Sequence, residues 1–168
     1  MMSYLGEPPI DSCLSDGTQR VLDHALNEVV ALGDHDLSTE HLLVGLLVEP
    51  SEASGLLSEM GITLEGARNQ SLALLGRGSF NQLRDKIPVH YCARRALALA
   101  VRDGRTEGHR RAEPINLLRG ILKYSLVRRP YPSEIGDFYG WCGATLILQN
   151  LGVSDIGIAY SRSLEIAS

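Results

Sequence analysis

Most of the reactive chemistry in the first half of this chain lies between positions 34 and 41, in Asp34, His35, Asp36, Ser38, Thr39, Glu40 and His41. Two acids flanking a histidine are metal-ligand types. No fourth ligand follows at a spacing that would complete a tetrahedral set, so no metal is assigned. Glu40 falls in the first turn of a helix opened by Ser38, where the helix dipole favours a carboxylate whatever its function. That capping role stands beside a ligand-binding one. His41 is the third residue after Ser38, whose side chain can reach back to the cap, so it reads as structural rather than catalytic. Cys13, Cys92 and Cys142 are odd in number and far apart. Without a CxxC pair they suggest neither a metal finger nor a redox dithiol, and they read as reduced, semi-buried thiols. His90 and Cys92 do not make a nucleophile–base pair, because side chains two apart on a helix point to different sides. No catalytic constellation emerges. The chain is read as a non-enzyme that needs no cofactor.

Two further groups offer binding chemistry. Arg94, Arg95, Arg102, Arg105, Arg110 and Arg111 are phosphate-binding types. No helix-turn-helix or aromatic-basic platform accompanies them, and the acidic first half would repel phosphate. A solvated or internally paired face is expected, with nucleic acid not the expected partner. The segment YSLVRRPYPSEIGDFYGW, about 124–141, concentrates aromatics. Pro130 and Pro132 forbid a continuous helix there. Tyr131, Phe138, Tyr139 and Trp141 are candidate partner contacts, since interface hot spots use aromatics and arginine. The alternative is a long loop packing its aromatics over its own half.

The elements that position these residues are written twice. TQRVLDHALNEVVALGDHDLSTEHLLVGLL (Thr18 to Leu47) returns as ARRALALAVRDGRTEGHRRAEPINLLRGIL (Ala93 to Leu122), offset by 75. Leu22 then meets Leu97, Ala25 meets Ala100, Gly33 meets Gly108 and Gly45 meets Gly120. The tails repeat too, LSEMGIT against LQNLGVS, now offset by 91, so the second copy carries an insertion of 16 residues. Ser15 opens a helix whose apolar face is Val21, Leu22, Ala25, Leu26, Val29 and Leu32, and Gly33 stops it. A second helix with Leu42, Leu43, Leu46 and Leu47 buried ends at Pro50. Gly45 suits the close approach of another helix. Ser51 starts a third helix ending at Gly61, and Thr63 a fourth reaching about Leu75. The second copy predicts helices near 90–107, 113–123, 142–151 and from Ser154 onward. Strand signals are absent. An all-α fold follows: an eight-helix bundle of two pseudo-twofold-related four-helix repeats. The expected units are 13–78, a linker 79–87, and 88–168 with the insertion at about 124–141.

The charge is lopsided. Residues 1–83 hold 12 acids against 3 bases, and residues 84–129 hold 12 bases against 4 acids. Such a distribution orients partners but does not define a fold. No apolar run reaches the roughly 20 residues of a membrane helix. The start, MMSYLGEPPIDS, lacks a signal peptide's basic and greasy segments, so a cytoplasmic location is expected.

STEHLLVGLL (Ser38–Leu47), SEMGITLEGA (Ser58–Ala67) and LLGRG (Leu74–Gly78) resemble the repeat of the Clp N-terminal domain, which begins the ClpA and ClpC unfoldases and their ClpB relative. The resemblance covers about 13–158 and is stronger in the first copy. It implies a pair of four-helix repeats that receives substrates and adaptors. No GxxxxGK[ST] phosphate loop occurs in the sequence, so the chain looks like a free-standing N-domain. The resemblance then implies an accessory, adaptor or decoy factor of a Clp-type protease, with Clp ATPase or peptidase subunits, adaptors or substrates as partners. The alternative is a regulatory or nucleic-acid-associated protein reusing the fold. Some ClpC domains bind phosphorylated arginine through a hydroxyl at the first helix and a glutamate in a GTEH segment. Carried over, these are Ser15 and Glu40. In the second copy His90 and Ile115 occupy those positions, and Glu113 lies two residues early, so the resemblance implies one such site at most.

Overall fold

The computed structural model describes residues 10–81, 83–127 and 142–166. Among them a 3-10 turn, Ile10–Cys13, leads into α1 (Asp16–Leu32), α2 (Thr39–Val48), α3 (Glu52–Glu59) and α4 (Leu64–Leu75). A second 3-10 turn, Arg84–Lys86, precedes α5 (Tyr91–Thr106), α6 (Pro114–Val127), α7 (Gly143–Asn150) and α8 (Ile156–Glu165). The described residues form no strand, only two isolated bridges. The all-α expectation holds.

The N-caps of α1 to α4 sit where the sequence places them, at Ser15, Ser38, Ser51 and Thr63. Ser15 Oγ accepts from the Thr18 amide at 3.2 Å, and Gly33 closes α1 at φ 70°, a conformation open to glycine without a Cβ penalty. The long helices cross the short ones through glycine. A Cβ on Gly45 would overlap the Val21 carbonyl oxygen, and one on Gly120 the Ala96 carbonyl oxygen. α1 therefore lies tightly on α2, and α5 on α6. One continuous core draws on both halves, with Val21, Ala25, Leu42, Leu46, Leu97, Leu118 and Ile147 all buried.

Two boundaries differ from the sequence reading. α6 was expected to end at Lys123 but runs to Val127, so the first four residues of the expected insertion are helical. No residue from Lys123 to Val127 breaks the helix, and Ser125 Oγ donates to the Ile121 carbonyl inside it at 2.9 Å. α8 begins at Ile156, because Asp155 rather than Ser154 caps it, accepting from the Ile158 amide at 3.1 Å. Tyr131, Phe138, Tyr139 and Trp141 lie outside the described residues.

Candidate functional site

The entries of the helices are laced together across the two halves. Leu14 bridges to Ala112, and Leu37 to Val89; both members of the first pair, shifted by 75, give the second. In the first bridge the Ser15 amide donates to the Ala112 carbonyl at 3.0 Å, and the Ala112 amide to the Cys13 carbonyl at 2.8 Å. In the second the His90 amide donates to Leu37 at 2.8 Å, and the Leu37 amide to Pro88 at 2.9 Å. Each long helix thus starts beside the residues leading into the other half's second helix. Ser15 lies next to Ala112, and its buried hydroxyl also meets Thr18 Oγ1 at 3.2 Å. Thr18 Oγ1 in turn donates to the Ala112 carbonyl at 2.8 Å.

Glu40 lies on the other seam. It is 6% exposed. Its Oε2 accepts from the Ser38 hydroxyl and from Thr39 Oγ1 at 3.5 Å. A Cβ on Gly143 would overlap that same oxygen, so the carboxylate packs directly on the first residue of α7. Cys142, the N-cap of α7, makes no side-chain cap bond. Thr39 supplies one from α2: its Oγ1 accepts from the Ala144 amide at 3.3 Å and from the Cys142 thiol at 3.3 Å. Thr39 and Glu40 together present oxygen to the positive end of α7, which satisfies an orphan donor and complements the dipole. Sequence reasoning missed this cap in trans. The only signal was Gly143-Ala144 behind a cysteine, a helix start without a hydroxyl, amide or acid of its own.

The structure therefore joins Ser15 to Ala112 and Glu40 to α7, and no hydrogen bond runs between Ser15 and Glu40. At the corresponding places of the second half, His90 Nδ1 accepts from the Cys92 amide at 3.3 Å, a cap rather than a catalytic base. Ile115 is buried at 4% exposure, and Glu113 is exposed.

The histidines flanking the seams are structural too. His41 Nδ1 accepts from the Ser38 amide at 3.1 Å, which leaves Nε2 to donate to Asp34 Oδ2 at 2.8 Å. Seventy-five positions on, Asn116 Oδ1 accepts from the Glu113 amide at 2.9 Å and faces His109 Nδ1 at 3.2 Å. The same helix start is thus fastened twice with different side chains. His35 meets the Phe80 ring edge-on, with centroids 4.8 Å apart. No group of His, Cys, Asp or Glu among the described residues could hold a metal ion.

Several charges are paired. Arg119, 1% exposed, is held by Glu107 and the Ser163 carbonyl. Arg68 is bidentate to Glu28, at 2.9 Å for each bond, and that bonding raises its pKa. Among the surface arginines, Arg102 meets Asp103, Arg111 meets Asp16 and Arg105 reaches Cys13 Sγ. All three cysteines are free, two of them buried. Burial and the hydrogen bond between the Tyr124 hydroxyl and Cys92 Sγ at 3.4 Å, with Cys92 and Cys142 close by, push the Tyr124 phenol well above its usual 10.0.

The model of the Clp repeat (R) N-terminal domain family matches residues 13–128. The ATP-dependent Clp protease ATP-binding subunit ClpA homolog of Brassica napus chloroplasts is 34% identical over 105 residues, 62% of this chain and 12% of that protein. ClpC of Staphylococcus aureus (strain USA300) is 30% identical over 114 residues, 66% of this chain and 13% of that protein. The chain thus spans about an eighth of the length of these relatives. Two solved structures share the fold. The N-terminal domain of the ClpD chaperone of Arabidopsis thaliana superposes with a TM-score of 0.69 at 20% identity, covering 93% of this chain and 98% of that one. A chain from a malarial protein secretion system superposes at 0.61 with 17% identity, covering 91% and 95%.

Proposed function

Since the chain belongs to the Clp repeat (R) N-terminal domain family, we propose that it is a non-enzymatic protein-binding module serving a Clp-type ATP-dependent protease. It would act as an accessory, adaptor or decoy factor that takes substrates, adaptors or Clp subunits as partners. The observation that carries this reading is the family match across 13–128. A cytoplasmic site of action belongs to the same proposal. No helix among the described residues is long and apolar enough to cross a membrane. The test is retention: the immobilised protein, incubated with host lysate, retains Clp ATPase, Clp peptidase or adaptor subunits. Recovery of nucleic acid or unrelated proteins alone would favour a regulatory protein that has reused the fold.

Within that reading Ser15 and Glu40 are the proposed phosphoarginine-like positions, one at each of the two seams, so each offers one half of such a site. Ser15 sits at the start of a long helix, where backbone amides and the dipole favour phosphate. Glu40 offers a carboxylate of the kind that holds a guanidinium through charge-assisted bonds. A ligand reaching Glu40 has to displace the Ser38 hydroxyl, so binding would be coupled to movement at the α2–α7 seam. Titration with phosphoarginine tests this. The parent protein should bind and Glu40→Ala should not; no binding by the parent ends the idea. Tyr131, Phe138, Tyr139 and Trp141 are proposed as a further partner contact, tested by replacing all four with serine and repeating the retention assay.

A further inference from the structure

α3 and α8 leave an open groove of about 360 Å³ between them, lined by Glu52, Gly55, Leu56, Glu59, Arg162 and Glu165, with Ile166 at one end. A second hollow of about 170 Å³ continues it along α8, past Met60, Val153, Asp155 and Ile158, and shares Arg162. The first volume is at the low end of the range of small ligand pockets.

Three features give the groove a chemistry. Its apolar lining comes in two patches, Leu56 with Ile166 and Met60 with Val153 and Ile158; Leu56 and Val153 are core residues at 4% and 8% exposure, so the half-buried Ile166 and Met60 and the 61% exposed Ile158 present most of it. Among the described residues that line it, carboxylates outnumber cations: Glu52, Glu59, Glu165 and Asp155 accompany one guanidinium, Arg162, which lies 3.5 Å from Glu59. Gly55 is the third feature. Glycine inside a helix lowers stability relative to alanine, and here no packing explains it, because a Cβ on Gly55 would meet nothing within 4 Å. The missing side chain keeps the groove open.

We propose that this groove docks an extended peptide segment in which apolar and basic side chains alternate. An extended chain sends alternate side chains to opposite sides. Such a segment lays its apolar residues into the two patches and holds its arginine or lysine heads at the acidic rim, with their methylene stems along the apolar wall. An acidic segment is repelled by the same rim. The proposal deepens the binding-module reading and rests on it, but the surface is apart from Ser15 and Glu40.

The experiment is fluorescence anisotropy of the full chain with a short fluorescein-labelled peptide of alternating leucine and arginine. The same peptide with glutamate for arginine is the control. The basic peptide binds saturably and the acidic one does not. Gly55→Tyr, which fills the groove from an open position, abolishes binding while thermal unfolding shows the fold intact. Glu52→Gln and Glu59→Gln each weaken binding about two- to fivefold, as expected for exposed ion pairs, and added salt weakens it further. Equal binding of both peptides, or undiminished binding by Gly55→Tyr, overturns the proposal. If the basic peptide fails to bind while Clp subunits are still retained by the immobilised protein, the groove inference alone falls. If the peptide binds with the stated dependence and no Clp subunit is retained, the groove stands and the Clp reading falls.

Discussion

Arg119 gives a double-mutant cycle whose sign follows from the structure. Its guanidinium is 1% exposed. Nη1 donates to both carboxylate oxygens of Glu107 at 2.6 and 2.7 Å, while Nε and Nη2 donate to the Ser163 carbonyl at 3.1 and 2.6 Å. Arg119→Met removes the charge and leaves the Ser163 carbonyl without these donors, a cost of about 1–3 kcal/mol. Glu107, with its side chain 27% exposed, can then rehydrate. Glu107→Ala instead strands a buried cation, which costs about 3–5 kcal/mol when the partner is fully buried. Partial exposure of Glu107 puts the expected value near the lower end. The double variant carries no stranded charge and should cost little more than Arg119→Met alone, giving a coupling of about 2–3 kcal/mol. Equilibrium urea unfolding of the four proteins measures it, with the denaturant slope required to stay constant. If the two single costs simply add, the pairing of Arg119 with Glu107 is not what holds α6 to the end of α5.

Other outcomes follow from single contacts. Gly45→Ala and Gly120→Ala should each destabilise by about 1–3 kcal/mol through overpacking, whereas Gly55→Ala should stabilise by about 0.5–1 kcal/mol. Thermal unfolding separates the two classes, and a stabilising Gly45→Ala would contradict the helix crossing. Thr39→Val removes the acceptor for the Ala144 amide, so hydrogen exchange should accelerate at the start of α7, while Thr39→Ser preserves protection. Exchange unchanged in Thr39→Val would mean that α7 is not capped from α2. The raised pKa of Tyr124 means that the folded state keeps a proton which the unfolded state loses above about pH 10. Stability should therefore fall as pH rises beyond that point, and Tyr124→Phe should remove that part of the fall. An identical alkaline profile in the variant would place the ionisation elsewhere.

Local signals carried most of the fold. Ser15, Ser51 and Thr63 cap helices because a short side-chain oxygen at that position satisfies an orphan amide, which any sequence window reveals. Gly33 and Gly108 end helices for an equally local reason, and the Gly45–Gly120 pair flagged the close crossings. What was not legible depends on contacts between distant positions. The bridge from Leu14 to Ala112 sets Ser15 beside the second half, while Glu40 meets α7 at Gly143, so their shared copy did not predict their surroundings. The burial of Glu40 depends on Gly143, more than a hundred positions away. α6 overran its expected end because the repeat suggested a length that no residue from Lys123 to Val127 enforces.

The most direct test of the proposed function uses purified components. The full chain is immobilised and exposed in turn to the host's Clp ATPase, its Clp peptidase and its adaptors, with binding followed by interferometry. Saturable binding of at least one of them, without any ATP turnover by the chain itself, is the predicted result. Absence of binding to all three, with the chain folded by circular dichroism, would contradict the assignment as a Clp-associated binding module.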